Sequence, residues 1–207
     1  EIGFNHNGDV ELAKRMIESA AINGADAVKL QTFVAREMIS NTLLADDPDH
    51  PGNEIPFYEF FQRYELSRED YKVLIAYART LHIPLFSTPF DDASLDMLVE
   101  LEMPALKIAS PDLIYTPFLE KVAETGLPVV LSTGMGSVDE IGEALLALRK
   151  ANSVILLHCV SNYPSRYEEM NLGCLDGLRS RFELPVGLSD HTLDNLSAVV
   201  AASLGAV

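Results

Sequence analysis

Short apolar runs alternate with stretches of helical period along the whole chain. Val, Ile and Leu concentrate in "DAVKLQTF" (26–33), "IPLFST" (83–88), "ALKIAS" (105–110), "PVVLST" (128–133), "VILLHCV" (154–160) and "PVGLSD" (185–190). "EIGF" (1–4) reads as the tail of an earlier strand. Runs with so little polar alternation suit parallel strands covered by helices. Between them the period changes. Ala13, Met16, Ile17, Ala20 and Ala21 fall at i, i+3, i+4, i+7 and i+8, with Asp9 placed to cap the first turn and Gly24 to end the last. Tyr71, Leu74, Ile75 and Ala78 repeat the stripe after Ser67. Ser137 and Glu140 have the spacing of a capping box ahead of Ile141, Ala144, Leu145 and Leu148. Thr116-Pro117 reads as N-cap and first helical residue, and further helices are predicted over 92–102, 172–182 and 193–204.

Seven strand–helix units in order predict an α/β fold, a (β/α)8 TIM barrel lacking its last βα unit. A doubly wound open sheet is the alternative. A barrel short of one strand leaves raw edges, and the chain opens on Glu1 and closes on "SLGAV". Residues 1–207 are therefore expected to be one barrel domain, incomplete at both ends. The connection from Val34 to Leu66 is long for a barrel loop, with a short helix predicted near 57–65. It is expected over the C-terminal mouth, where it would help exclude water.

Composition narrows the partners. Apolar residues make up 48% of 207, enough for a sizeable core. A net charge of −16 argues against a nucleic-acid or anionic-membrane surface, so any bound anion must be met by a local pocket. No apolar run reaches the ~18 residues of a membrane span. Cys159 and Cys174 lack metal-type spacing and read as structural thiols in a reducing compartment.

Two lysines break the apolar strands. Lys29 and Gln31 alternate with Val28 and Leu30, and Lys107 alternates with Leu106 and Ile108. If the apolar side meets the helices, both lysines point into the barrel, where a buried ammonium needs an anion. Polar residues also gather at strand ends: Ser87 and Thr88, Ser110 and Asp112, Ser132 and Thr133, Ser189 to His191. Two cations among hydroxyls, without a glycine-rich phosphate loop, describe a site for a small phosphorylated or carboxylated anion at one central mouth. Internal salt bridges to carboxylates of the chain are the other reading. Of the histidines, His82 precedes a strand, His50 is expected in solvent and His158 reads as a core residue. His6 is placed to reach the site, and His191 is the best candidate ligand or acid–base group.

"EIGFNHNGD", "VKLQTF", "STPFD", "KIAS", "LSTGM", "LHCVSNYP" and "GLSDHT" occur in the order and spacing of the sialic acid synthase family, which the chain resembles over its whole length. Members include N-acetylneuraminate, legionaminate and pseudaminate synthases and spore-coat polysaccharide enzymes. The resemblance implies condensation of phosphoenolpyruvate with an N-acylated amino hexose in the cytoplasm. It implies a catalytic barrel followed by a small antifreeze-like domain in a domain-swapped homodimer. That domain and the second metal-binding histidine lie outside residues 1–207, so this piece alone is expected to be inactive.

By the same resemblance, Lys29, Gln31, Thr88, Lys107, Ser110, Ser132 and Ser189 hold phosphoenolpyruvate. Glu1, Asn53 and Tyr163 contact the sugar, His191 binds a divalent metal (Mn2+ or Mg2+), and Asp112 handles a proton. Asp112 stands where many members carry glutamate, Pro111 where a small or aromatic residue is commoner, and Ser161 where some have asparagine. A Schiff-base aldolase working through Lys107 or Lys29, and a sugar-binding barrel without catalysis, are the alternatives.

Overall fold

The computed structural model describes residues 1–47 and 50–207. They divide into two compact units, Glu1–Pro104 and Ala105–Val207. Parallel strands followed by helices make up both, as the apolar runs predict.

The first unit opens with a single parallel bridge from Gly3 to Leu30, the remnant strand expected at "EIGF". Helix α1 (Val10–Ile22) follows, capped by Asp9, whose carboxylate accepts from the Glu11 and Leu12 amides. Gly24 leaves the helix at φ +82°, a conformation that favours glycine. Strand β1 (Val28–Thr32) pairs in parallel with β4 (Leu85–Pro89), with Lys29 opposite Phe86 and Gln31 opposite Thr88. Between them lie α2 (Ala35–Met38), the antiparallel pair β2 (Leu44–Asp46) and β3 (Glu54–Pro56), α3 (Phe57–Gln62) and α4 (Arg68–Thr80). Ser67 and Asp70 close a capping box on α4. Helix α5 (Asp92–Glu100) completes the unit. Its cap, Asp91, accepts from the Ser94 amide and also from the Val34 amide at 2.7 Å, tying the exit of β1 to the start of α5.

The long connection is therefore structured rather than an open loop with one helix, although positions 48 and 49 lie outside the described residues. Rings seat it. Phe61 meets Phe4, Phe33, Phe57 and Phe60 edge-on, and Tyr64 leans on Phe4 and Phe60. The backbone closes in as well, because a Cβ on Gly8 would stand 2.3 Å from the Arg63 carbonyl oxygen.

In the second unit β5 (Leu106–Ile108), β6 (Val129–Ser132), β7 (Val154–Cys159) and β8 (Val186–Ser189) pair in that order, all parallel. A 3-10 turn (Ser110–Ile114) and α6 (Thr116–Glu124) follow β5, α7 (Val138–Ala147) follows β6, α8 (Cys174–Phe182) follows β7 and α9 (Leu196–Ser203) follows β8. The Ser137–Glu140 capping box forms as expected. Thr116 does not cap α6. It is the first helical residue and Tyr115 precedes it as N-cap, because the preceding 3-10 turn delivers the chain already turning.

Candidate active site

In the first unit the side chains gather around Lys29. It leaves β1 with only 13% of its side chain exposed, and its Nζ donates to Thr88 Oγ1 at 3.1 Å. The same ammonium is ion-paired with Glu1, which the Ile2 amide and the Gly3 bridge hold alongside β1. Burial pulls the Lys29 ammonium below the usual lysine range, and the Glu1 carboxylate pushes it back up. Gly3, at φ +58°, has no side chain where a Cβ would lie 3.3 Å from Glu1 Oε1 and 3.4 Å from Gln31 Oε1. Glu1, Lys29, Gln31 and Thr88 thus form one cluster. The internal-pair reading of Lys29 is realised here, since a carboxylate of the chain does meet it.

Ser87 is turned away from that cluster. Its hydroxyl lies 2.6 Å from Thr32 Oγ1, which in turn lies 2.6 Å from the Tyr71 hydroxyl of α4. Neighbouring residues of a strand point to opposite faces, so Thr88 and Ser87 cannot both face the lysine. Tyr71 donates to the Gln31 carbonyl at 3.1 Å, and burial pushes its phenol up to about 12. Asn53 sits in the β2–β3 turn, its backbone bonded to Asp47 and His50, and lines a pocket of about 770 Å³ with Asp46, Asp47 and Glu54. His6 is buried and accepts from the Gly8 amide on Nδ1 at 3.0 Å, and burial lowers its pKa. His50 reaches Asp47 Oδ2 at 2.8 Å, with most of its ring in solvent.

In the second unit Lys107 holds the equivalent place. It is 7% exposed and donates to Ser132 Oγ at 2.6 Å and to the Ile108 carbonyl at 2.9 Å. Asp112 lies in the 3-10 turn after β5, and its Oδ2 is buried without a hydrogen-bond partner. Burial pushes the Asp112 carboxyl up to about 6, against the pull of the Lys107 ammonium. A carboxyl poised near neutrality beside a buried ammonium can gain or lose a proton in the working pH range.

Ser110 accepts from the Gly134 amide at 3.0 Å. A Cβ on Gly134 would lie 2.5 Å from Ser161 Oγ and 2.8 Å from Ser110 Oγ, so two hydroxyls crowd this backbone. Gly134 and Ser161 were absent from the site expected from sequence. The glycine in "LSTGMGS" just past a strand was the available signal. Ser189 ends β8 opposite Cys159. His191 presents Nδ1 to the Val160 carbonyl at 2.8 Å and lies against Tyr163 with ring centroids 4.1 Å apart and planes tilted by 34°. A ring whose Nδ1–H is given to a carbonyl keeps the Nε2 lone pair for a ligand, the arrangement typical of metal-binding histidines. His158, expected in the core, is only half-buried and lines a pocket beside Thr133 and Cys174, its Nε2 bonded to the Met170 carbonyl at 2.6 Å.

Comparison with known proteins shows the family. The NeuB family model matches residues 16–207. The chain is 39% identical over 216 residues to N,N'-diacetyllegionaminic acid synthase of Legionella pneumophila, covering all of this chain and 60% of that protein. It is 40% identical over 213 residues to N,N'-diacetyllegionaminic acid synthase of Campylobacter jejuni, covering all of this chain and 64% of that protein. The crystal structure of N-acetylneuraminic acid (sialic acid) synthetase from Leptospira borgpetersenii in complex with citrate superposes with a TM-score of 0.88 at 35% identity, covering 99% of this chain and 68% of that one. The chain spans roughly three-fifths of the length of these curated relatives.

Proposed function

The chain belongs to the NeuB family, and on that premise we propose that the intact protein condenses phosphoenolpyruvate with an N-acylated amino hexose, giving a nonulosonic acid and phosphate. The observation that carries this reading is the repeated seating of a strand lysine on the hydroxyl of the next strand, the partly buried Lys29 on Thr88 and the buried Lys107 on Ser132. Such cations suit the phosphate and carboxylate of an enol ester.

Each residue then has a task. Lys29 and Lys107 bind and orient the anionic substrate, with Thr88, Ser132, Ser110, Ser189 and Gln31 as its polar contacts. Its methylene carbon forms a bond to the sugar aldehyde carbon. Water adds to the carbon bearing the phosphate ester, and the tetrahedral product loses phosphate by C–O cleavage. Asp112, with its raised pKa, gives a proton to the aldehyde oxygen as the C=O π bond breaks and takes one back from the adding water. Glu1, Asn53 and Tyr163 are the proposed sugar contacts.

His191 fits one position of a divalent manganese or magnesium site by its tautomer. No group of three or more His, Cys, Asp or Glu side chains able to hold a metal occurs among the described residues. No helix among the described residues is long and apolar enough to cross a membrane. A cytoplasmic homodimer is the proposed setting of the whole protein.

A phosphate-release assay tests the reading. The intact protein is given phosphoenolpyruvate with N-acetylmannosamine or diacetamido hexoses. Phosphate released only with a sugar supports it. Phosphoenolpyruvate bound without phosphate release indicates a binding barrel, and borohydride trapping of pyruvate on Lys29 or Lys107 indicates an aldolase.

A further inference from the structure

We propose that Glu1 is the resting counter-ion of Lys29, and that the anionic substrate binds by taking its place on that ammonium. The inference rests on the function proposed above and adds a role that the sugar-contact assignment of Glu1 does not contain.

The argument begins with burial. Lys29 cannot carry its charge into the protein alone. Thr88 offers a neutral hydroxyl at 3.1 Å, which supplies a hydrogen bond but no charge. The charge comes from Glu1. The two partners are unequally exposed, the lysine side chain at 13% and the glutamate at 49%. A carboxylate that is half in water can turn out and be hydrated at small cost, whereas the ammonium is fixed on β1 beside Thr88. An anion arriving at Lys29 therefore displaces the glutamate and leaves the lysine where it is. Two carboxylate-type groups on one ammonium would also repel each other, which drives the exchange.

The backbone keeps the displaced group near. The Ile2 amide donates to the Lys29 carbonyl at 2.8 Å, and Gly3 bridges to Leu30, so Glu1 stays within side-chain reach of the site after release. The space left by the missing Gly3 side chain lies next to Glu1 Oε1 and Gln31 Oε1. The Glu1 carboxylate, proposed above as a sugar contact, thus becomes available once the anion is seated.

The test is calorimetric titration of the intact protein with phosphoenolpyruvate, and separately with inorganic phosphate, without sugar. Glu1→Gln keeps the shape and removes the competing charge. It should bind phosphoenolpyruvate about tenfold more tightly than wild type. Lys29→Met should lose most of that binding, and adding Glu1→Gln to Lys29→Met should bring no gain, since the effect runs through the pair. Far-UV circular dichroism confirms that each variant is folded. Unchanged or weaker binding by Glu1→Gln, or the same gain in the Lys29→Met background, overturns the counter-ion role. If wild type meanwhile releases phosphate with a sugar, the proposed function stands without it. A wild-type protein that binds neither anion overturns both.

Discussion

Lys107 Nζ donates to Ser132 Oγ at 2.6 Å across two paired strands, and the hydroxyl lies two residues beyond Val130, the register partner of the lysine. Lys29 repeats the offset, since its partner in register is Phe86 and its hydroxyl is Thr88. A lysine stem leaning along its own strand reaches this diagonal neighbour on the same face. Each unit thus builds its cation seat by the same local rule.

Removing either hydroxyl should loosen the seat without abolishing it. Thr88→Val and Ser132→Ala are each expected to weaken phosphoenolpyruvate binding about tenfold, or about 1.4 kcal/mol. Titration calorimetry on the intact protein reads this directly. Unchanged affinity in both variants would show that the hydroxyls only fill space.

Asp112 makes stability depend on pH. Its folded-state pKa of about 6 lies above the ordinary 3.8, so the folded protein holds this proton more readily than the unfolded chain. The contribution of this group is complete below 3.8 and is lost as pH rises through about 6. Asp112→Asn should therefore raise the denaturant midpoint above about pH 7 and bring no gain below about pH 4. The same variant should lose most of the activity if Asp112 is the proton carrier proposed above. A midpoint difference independent of pH would contradict the assignment.

Gly134 should not accept a methyl group quietly. In Gly134→Ala the new carbon would meet Ser161 Oγ at 2.5 Å and Ser110 Oγ at 2.8 Å. The Ser161 hydroxyl can rotate, so the expected cost is modest, about 1 kcal/mol. Adding Ser161→Ala should recover part of it. Additive effects in the double-mutant cycle would mean that the two residues do not press on each other.

Tyr71→Phe leaves the ring in place and removes a hydroxyl that serves Thr32 and the Gln31 carbonyl. The expected loss is about 1–2 kcal/mol, seen as a lower denaturant midpoint with an unchanged slope. No loss would show that the Thr32–Ser87 bond satisfies that cluster alone.

Much of the fold was legible because the deciding chemistry is local. Asp9 and Gly24 bound α1, and Ser137 with Glu140 opens α7, through contacts a few residues long. The lysines stood out for the same reason, as charges inside apolar runs. The β2–β3 hairpin was not legible, since strands of three residues carry too little alternation to declare themselves. Strand alternation sets Ser87 on the face opposite Thr88, although both belong to one polar strand end. Ser161 beside Gly134, and Glu1 on Lys29, arise from approaches between distant parts of the chain, which no spacing rule encodes.

The ring cluster on Phe61 has a kinetic corollary. Residues 1–9 and the α3 segment share Phe4 and press against each other at Gly8, so neither can peel away while the other stays docked. They should open as one cooperative piece, exchanging their amide hydrogens at a common rate. Glu1 rides on that piece. The charge balance at Lys29 is thereby set by how firmly a handful of phenyl rings, with no chemistry of their own, hold the segment that carries Glu1 in place.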